Sequence, residues 1–408
     1  MTDMKNWEKK KLGEVCVVER GSSPRPIEKY QTDSPDGVNW IKIGDTKGVD
    51  KYIFSTKEKI TKEGAEKSRY VKEGDFILSN SMSFGKPYIM KTDGYIHDGW
   101  FVFRLPNFLD KDYFYYLLTS PNVQEQIQSL GAGAIVKNIS GDLVKKVDIT
   151  YPKSLPEQQR IVAILDEAFA AIAKAKANAE QNLKNAKELF ESYLQAVFEN
   201  KGQDWEEKTL GEVCNVIGGG TPSKANGKFY DGDINWATVR DMKGEIISDT
   251  EYKITKDAVK NSSTNIIPKG NVIIATRVGL GKVCLIEFDT AINQDLRGIV
   301  PLNLKKLSVD FLYRWFKSIS HKIVEEGTGA TVQGVKLPFI KSLKISLPPL
   351  IAQQDIVQKL DALSTETKKL EAIYQQKIND LEELKKSILQ KAFAGELTSA
   401  GSVSDRKG

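Results

Sequence analysis

Two loops of similar composition gather hydroxyl, amide and cationic side chains. Each follows a short apolar run, Ser79–Lys86 in the first half of the chain and Ala275–Lys282 in the second. Such groups on a glycine-bearing loop can donate hydrogen bonds to phosphates and to base edges. We expect the shared Gly-Lys ends to hold a nucleic-acid backbone and the differing residues before them to meet different bases. The alternative is an ordinary surface hairpin.

Three further pairs of loops have the same character: Arg20–Arg25 with Gly218–Lys224, Trp40–Asp45 with Trp236–Asp241, and Lys137–Asn138 with Gln333–Gly334. We expect Trp40 and Trp236 to anchor the core rather than to stack on bases, and His97 to be either a ligand contact or a polar loop residue. The candidate DNA-contacting residues are Arg20, Ser22, Ser23, Arg25, Lys42, Ser79, Asn80, Ser81, Ser83, Lys86, His97, Lys137, Asn138, Thr221, Ser223, Lys224, Thr238, Arg240, Thr276, Arg277, Lys282, Asn293, Gln294 and Gln333.

Catalytic and metal-binding motifs are not matched. Gly218–Lys224 is rich in glycine, but a Walker loop needs Gly-Lys-Ser/Thr at the opening of a helix, and here Ser precedes Lys. Gly279–Lys282 lacks the third glycine of a dinucleotide fingerprint. The two histidines, His97 and His321, have no Cys or Asp cluster at metal-ligand spacing. Neither Asn-Pro-Pro-aromatic nor Asp-Pro-Pro-Tyr occurs, so the motifs of a base methyltransferase are missing from this sequence. We predict no catalytic residue, no metal site and no cofactor in this chain.

The composition favours a multidomain cytoplasmic protein. The chain has 408 residues, of which 40% are hydrophobic and 28% charged, and this length exceeds one ordinary core. No apolar run is long enough for a membrane span, and residues 1–11 do not resemble a secretory signal. The cysteines, Cys16, Cys214 and Cys284, are too scattered for a disulfide framework.

The net charge of +5 lies in two blocks. Lys and Arg exceed Asp and Glu by 2 in residues 1–150 and by 4 in residues 201–350, whereas residues 151–200 and 351–408 carry −1 and 0. This distribution is compatible with a polyanionic partner, but alone it is only a weak indication of nucleic-acid binding.

The strongest signal is an internal repeat of about 196 residues. The segment Trp7–Cys16 returns as Trp205–Cys214, and Gln158–Asp166 returns as Gln353–Asp361. Shorter matches between these segments keep nearly the same offset. The chain is therefore one unit, duplicated and diverged.

Each copy is predicted to contain an α+β domain with a largely antiparallel sheet, followed by a long helix. Short apolar runs separated by Gly, Pro, Asn and Asp indicate the strands, and proline before each Gln-Gln pair suits a helix start. The predicted domains are recognition domains 1–155 and 203–350, long helices 156–202 and 351–398, and a disordered tail 399–408.

The two helices have an apolar period of 3.5 residues over more than four heptads, which favours a coiled coil. We expect an antiparallel intramolecular pair, each helix about 65 Å long, that separates the two domains at a fixed distance about a pseudo-twofold axis. The alternative is two amphipathic helices, each packed on its own domain. The predicted seam consists of Ile161, Leu165, Ile172, Leu189, Tyr193, Ile356, Leu360, Leu363, Leu370, Leu381, Leu384 and Ile388.

The pattern resembles the specificity subunit of type I restriction–modification enzymes, over essentially the whole chain to about Leu397. The resemblance rests on two variable domains, each followed by a long helix that opens in the first copy with Pro156–Asp166. The domain openings and the loop Arg277–Lys282 also match. The second helix opening departs from the pattern at Ile351–Val357, and Ser81 stands where the second copy has Arg277.

The resemblance implies that each domain reads one half of an asymmetric, bipartite site in double-stranded DNA, with unread base pairs between the halves. It implies that the helices dock two modification subunits, which use S-adenosylmethionine to methylate adenine. Two restriction subunits would use ATP and Mg²⁺ to translocate and cut DNA. None of this chemistry would reside in the present chain, and no membrane is involved.

Other functions remain open. The chain could be an orphan specificity subunit that serves DNA methylation only. It could be a coiled-coil adaptor without DNA binding, which salt-dependent binding to duplex DNA would exclude. A nuclease hidden in one domain would be revealed by incubating the chain with plasmid and Mg²⁺.

Overall fold

The computed structural model describes residues 6–80, 85–130, 140–327 and 334–397. The chain divides into two units, the first consisting of Met1–Ala179 with Gln376–Gly408 and the second of Glu180–Gln375. Each unit contains one sheet-rich domain and a segment of each of two long helices. The predicted tail lies outside the described residues.

The first unit begins with strands and short helices and ends in a long helix. The strands are β1 (Trp7–Lys11), β2 (Val17–Arg20), β3 (Val38–Ile41), β4 (Tyr52–Ile53), β5 (Glu58–Ile60), β6 (Arg69–Val71), β7 (Phe76–Ser79), β8 (Pro87–Met90), β9 (Gly94–Ile96), β10 (Trp100–Arg104) and β11 (Asp148–Pro152). The helices are α1 (Leu12–Val15), α2 (Lys62–Glu66), α3 (Lys111–Thr119), α4 (Pro121–Leu130), α5 (Gly141–Val144) and α6 (Leu155–Glu199), which continues into the second unit.

The second unit has the same order of elements. Its strands are β12 (Glu206–Thr209), β13 (Cys214–Gly218), β14 (Ile234–Ala237), β15 (Ile246–Ile247), β16 (Tyr252–Ile254), β17 (Asn265–Ile267), β18 (Val272–Ala275), β19 (Val283–Ile286), β20 (Thr290–Ile292), β21 (Leu296–Pro301) and β22 (Lys344–Leu347). Its helices are α7 (Leu210–Val213), α8 (Lys256–Lys260), α9 (Val309–Ser318), α10 (Ser320–Glu325), α11 (Leu337–Ser342) and α12 (Leu350–Phe393), which returns into the first unit.

The strand orders of the two domains correspond one to one. The five-stranded sheets run β2-β10-β7-β8-β4 and β13-β21-β18-β19-β15, the four-stranded sheets run β5-β3-β9-β6 and β16-β14-β20-β17, and β1-β11 matches β12-β22. Pairing is antiparallel except for one parallel pair in each five- and four-stranded sheet. The predicted α+β class and largely antiparallel sheets are confirmed.

The central strands are continuous apolar runs because both of their faces are buried. In β7, Phe76 and Leu78 pack in one core with α3, whereas Ile77 between them faces a second core. In β18, Val272 and Ile274 face the α9 side, and Ile273 faces away from it. Each five-stranded sheet is thus sandwiched, and its loops are held on a rigid base.

A buried glutamine joins each long helix to its domain. The Gln158 amide oxygen accepts from the Asp110 backbone N–H at 2.7 Å, and its amide nitrogen donates to the Phe108 and Pro152 carbonyls. Gln353 makes the same three bonds, to Ser308 N–H and to the Lys306 and Pro348 carbonyls. Both side chains are fully buried. This joint explains the first glutamine of the repeated Gln-Gln motif.

The carboxylate about two turns farther along each helix forms a second repeated contact between helix and domain. Asp166 of α6 accepts a hydrogen bond from the Tyr116 hydroxyl of α3. Asp361 of α12 accepts two from the guanidinium of Arg314 in α9, the shorter at 2.6 Å. The position is shared, but the chemistry of the partner differs between the units.

The long helices run past each other in opposite directions within the first unit. Lys176 of α6 pairs with Glu382 of α12, and Arg160, nearer the start of α6, donates to the Leu397 carbonyl beyond the end of α12. As residue numbers rise on α6, those of its partners fall on α12, so the predicted antiparallel sense holds there.

The buried stripe departs from the predicted seam at four positions. Ile161, Leu165, Ile172 and Leu360 are buried, and Ile356, Leu363, Leu381 and Ile388 are half-buried, but Leu189, Tyr193, Leu370 and Leu384 are 38–51% exposed. Buried residues instead include Ala186, Leu194, Thr367 and Leu389. A strict heptad drifts around an α-helix by about 20° per repeat, and Leu389, near the end of α12, packs in the core of the first sheet domain.

Candidate nucleic-acid interface

A glycine in each unit allows two candidate loops to approach each other closely. A Cβ on Gly21 would lie 1.9 Å from the His97 carbonyl oxygen, and a Cβ on Gly219 would lie 2.0 Å from the Asn293 carbonyl oxygen. No side chain fits at either position. The two contacts are equivalent in the repeat, so His97 and Asn293 occupy corresponding places.

In the first unit, Asp98 holds the predicted residues together. Its carboxylate accepts from the Ser23 hydroxyl at 2.6 Å and from the Arg25 guanidinium at 3.3 Å. Its carbonyl accepts from Arg20 Nε and from the Asn80 amide. The Ser23 hydrogen bond lowers the pKa of Asp98 and keeps it ionised. Asp98 was not predicted from the sequence; its position beside His97 was the available signal.

In the second unit, the corresponding centre is Asp295. Arg277 lies 3.4 Å from its carboxylate, the Asn293 amide donates to it at 3.1 Å, and the Thr276 backbone N–H donates to its carbonyl. Gln294 extends the cluster by accepting a hydrogen bond from the Thr221 hydroxyl. The structure therefore brings five predicted residues around one carboxylate.

Arg297 adds a cation that the sequence analysis did not select. Its guanidinium donates to the Gln294 carbonyl at 3.0 Å. Burial, and then the nearby charge of Arg277, lowers the pKa of this arginine. Two guanidinium groups, of which only Arg277 pairs with the carboxylate, therefore lie near Asp295, and this leaves the cluster with a local positive excess.

The shared lysines already have partners within the protein. Lys86 Nζ donates to the Val49 carbonyl at 2.9 Å, and Lys282 Nζ donates to the Met242 carbonyl at 3.3 Å. An ammonium group has three donors, so each keeps capacity for a further acceptor. Their repeated Gly-Lys sequence is explained at least in part by this structural bond.

Other predicted residues lie at the margins. Ser22 donates to the Lys67 carbonyl, Lys42 pairs with Glu58, and Arg240 lies 3.6 Å from Glu251. Thr238 accepts from the Arg240 backbone N–H and caps a short 3-10 helix. Ser79 is buried, whereas Ser223 and Lys224 are exposed. Trp40 and Trp236 are 2% and 5% exposed, as core anchors would be.

Five predicted residues lie outside the described residues: Ser81, Ser83, Lys137, Asn138 and Gln333.

The described residues contain no cluster of His, Cys, Asp and Glu arranged to hold a metal ion. The three thiols are buried, and burial raises the pKa of Cys16 and Cys214 to about 12 and that of Cys284 to about 11. In the same described ranges, no helix is long and apolar enough to cross a bilayer. The clusters around Asp98 and Asp295 offer donors and cations for binding.

A family model described as "Type I restriction modification DNA specificity domain" matches residues 4–184 and again residues 202–383. The chain belongs to this family. The resemblance inferred from the repeat is thereby confirmed, and each match contains one sheet domain with most of its long helix.

Relatives in the specificity-subunit family support the assignment. The specificity subunit of the Escherichia coli type I restriction enzyme EcoR124I/EcoR124II is 35% identical over 240 residues, which cover 56% of this chain and 58% of that protein. The MjaIX specificity subunit of Methanocaldococcus jannaschii is 24% identical over 96% of this chain and 94% of that protein.

Solved structures share the fold. A chain from a structure of the type I R-M system superposes with a TM-score of 0.81 at 19% identity, covering 96% of this chain and 98% of that one. The HsdS subunit from Thermoanaerobacter tengcongensis gives a TM-score of 0.62 at 21% identity, covering 96% and 97%.

Proposed function

We propose that this chain is the sequence-specific DNA-recognition subunit of a type I restriction–modification system, acting on chromosomal and foreign DNA in the cytoplasm. Each sheet domain reads one half of an asymmetric, bipartite site. The observation that carries the proposal is the pair of clusters around Asp98 and Asp295. The two clusters lie on corresponding strands but present different side chains. This is expected of two domains that share one fold and bind different DNA sequences.

The long helices would set the spacing of the half-sites and dock two modification subunits. Helices α6 and α12 run without interruption for 45 and 44 residues. Uninterrupted helices are stiff, so a fixed number of unread base pairs between the half-sites is the expected consequence.

The chemistry would belong to partner subunits. The modification subunits would bind S-adenosylmethionine and methylate adenine, and two restriction subunits would use ATP and Mg²⁺. The present chain would contribute recognition and no catalytic residue. An orphan subunit that serves methylation only is a narrower form of the same proposal.

The test is to express the chain with its modification subunit in a host without adenine methylation and to sequence the methylated genome. We expect one bipartite, asymmetric motif with a fixed gap. Replacing residues 203–350 by the equivalent domain of another family member should change one half of the motif and leave the other intact.

A contiguous motif, or a change in both halves after the exchange, would contradict independent reading. A chain that forms the complex but shows no salt-dependent binding to duplex DNA would instead be a protein adaptor. Methylation without restriction of unmodified plasmid, in cells that also carry the restriction subunit, would identify the orphan form.

A further inference from the structure

The first sheet domain contains a pocket beside the Asp98 cluster. Its volume is about 690 Å³, and it is lined by the loop Ser23–Glu28 together with Trp40, Lys42 and His97. Two cations stand at this pocket, Arg25 with a side chain 79% exposed and Lys42 with one 44% exposed. The His97 side chain is 20% exposed, so it lies inward from both.

The hydrogen bonding of His97 fixes which ring nitrogen carries the proton. Nδ1 accepts a hydrogen bond from the Gly99 backbone N–H at 2.8 Å, so Nδ1 is unprotonated. Burial lowers the pKa of His97 and favours the neutral ring. The proton of a neutral ring must then be on Nε2. Among the described residues Nε2 has no hydrogen-bond partner, and it is therefore a free donor.

The equivalent residue of the second domain makes the same local bond. Asn293 Oδ1 accepts from the Asp295 backbone N–H at 3.1 Å, two residues ahead, as His97 does from Gly99. The Asn293 amide nitrogen is then occupied by the Asp295 carboxylate. In the first domain the residue at that place is Gly99, which offers no carboxylate. The imidazole thus keeps the loop bond and adds a donor that the second domain lacks.

We propose that His97 Nε2–H reads the keto oxygen of one guanine or thymine in the half-site of the first domain. Guanine and thymine present an acceptor in the major groove, where cytosine and adenine present an amino group. Arg25 and Lys42 contact the phosphates that flank this base. Trp40 is only 2% exposed and offers no face for stacking, so the ligand is a base edge within the duplex. This assignment rests on the proposed DNA-recognition function.

His97→Asn is the decisive variant because the repeat itself shows that asparagine makes the loop bond at this place. It keeps the acceptor for the Gly99 N–H and leaves no donor at the position of Nε2, because the amide nitrogen of asparagine ends one bond nearer the backbone. His97→Ala removes both. We expect the His97→Asn complex with the modification subunit to melt within a few degrees of wild type. Its methylated motif should become tolerant at one position of the first half-site, where wild type requires G or T on one strand. The second half-site should be unchanged.

Modified DNA gives a second test that needs no variant. The base at that position is replaced by an analogue without the keto oxygen, 2-aminopurine for guanine or 5-methyl-2-pyrimidinone for thymine. Loss of one neutral hydrogen bond should weaken binding of the wild-type complex about 3- to 10-fold, and the His97→Asn complex should not distinguish the two duplexes.

An unchanged motif in both His97 variants would overturn the assignment, as would wild-type binding that is insensitive to the keto oxygen. A change in His97→Ala alone would also overturn it, because His97 would then only position the loop. A wild-type complex that methylates no specific motif would refute the proposed function itself, so the two failures are distinguishable.

Discussion

Single glycines determine how the candidate DNA-contacting loops can vary. Gly219 lies against the Asn293 and Ile292 carbonyl oxygens, where a Cβ would be 2.0 and 2.4 Å away. Its neighbour Gly218 is open, since a Cβ there would meet nothing nearer than Arg297 at 4.0 Å. Residues around these glycines differ between the units, whereas the close approach is kept. The loops are free to change their side chains but not the point at which they cross.

Gly219→Ala should destabilise the second domain by about 2 kcal/mol, because backbone atoms must move to admit the methyl group. The matched variant Gly218→Ala should change stability by less than about 0.5 kcal/mol. Urea unfolding followed by tryptophan fluorescence measures both, since Trp236 lies in this domain. Equal stability of the two variants would show that the close approach is not maintained in solution.

Arg277 is the cation whose loss should change specificity. It has no counterpart at the equivalent place in the first copy, and its side chain is 48% exposed beside Asp295. If it binds one guanine through two hydrogen bonds, Arg277→Ala should cost about 1–3 kcal/mol on the cognate site and relax one position of the second half-site. Titration of cognate and random duplexes with the complex measures this difference.

Lys224→Ala is the control for Arg277→Ala, because it also removes an exposed cation from the second domain. It should weaken binding to all duplexes alike and reduce the salt slope by about one. An Arg277→Ala complex that lost cognate and random DNA equally would exclude a base-reading role for this arginine.

At the scale of elements, the sequence predicted the helices better than their contacts. The repeat, the prolines before the helices and the 3.5-residue apolar period were sufficient to predict that α6 and α12 exist and that they run antiparallel. The buried stripe departs from the predicted seam at Leu189, Tyr193, Leu370 and Leu384. A strict 3.5-residue template drifts around an α-helix, and Leu389, near the end of α12, packs in the core of the first sheet domain. Patterns within one helix contain no information about that change of partner.

The joint between helix and domain can be tested at Gln158. Gln158→Ala would leave the Asp110 N–H and two carbonyl oxygens without partners in a fully buried position, and we expect a loss of about 3 kcal/mol. Gln159→Ala, an exposed neighbour, is the control and should be nearly neutral. Thermal unfolding of the full chain measures both. Matching melting temperatures would mean that water replaces the amide at no cost.

At the scale of the whole molecule, changing the length of the two long helices tests whether they set the gap between the half-sites. Inserting four residues after Gln181 adds about 6 Å and slightly more than one turn. A matched insertion after Tyr374 should preserve the packing of α6 against α12, whereas a single insertion should bulge and destabilise the chain. B-DNA rises about 3.4 Å per base pair, so the doubly inserted chain should prefer a gap longer by one or two base pairs.

The measurement is methylation of a library of sites that differ only in gap length, by wild-type and doubly inserted complexes. A folded, active double insertion with the original gap preference would show that the helices do not set the spacing.

The recognition sites were only partly predictable. Loops rich in Ser, Arg and Asn were visible in both copies, and the structure groups many of them. The carboxylates at the centres of the two clusters were not predicted, because Asp98 and Asp295 are not equivalent positions: they differ by one residue in the alignment of the two copies. His97 and Asn293 are equivalent and accept the same loop hydrogen bond, but they are different residue types. Equivalence of this kind depends on backbone geometry, which residue identities alone do not reveal.

The hydrogen bonds of Gln158 and Gln353 have a consequence for how the protein can evolve. All three partners of Gln158, and all three of Gln353, are main-chain groups, contributed by different residue types in the two units. The connection therefore depends on the path of the backbone and not on the side chains of the domain. A gene segment encoding a foreign domain of the same shape could replace either domain, before α6 or between α6 and α12, and be held as firmly as the original. Under the proposed function, new DNA targets would thus be acquired in one step, with no compensating change in the helices.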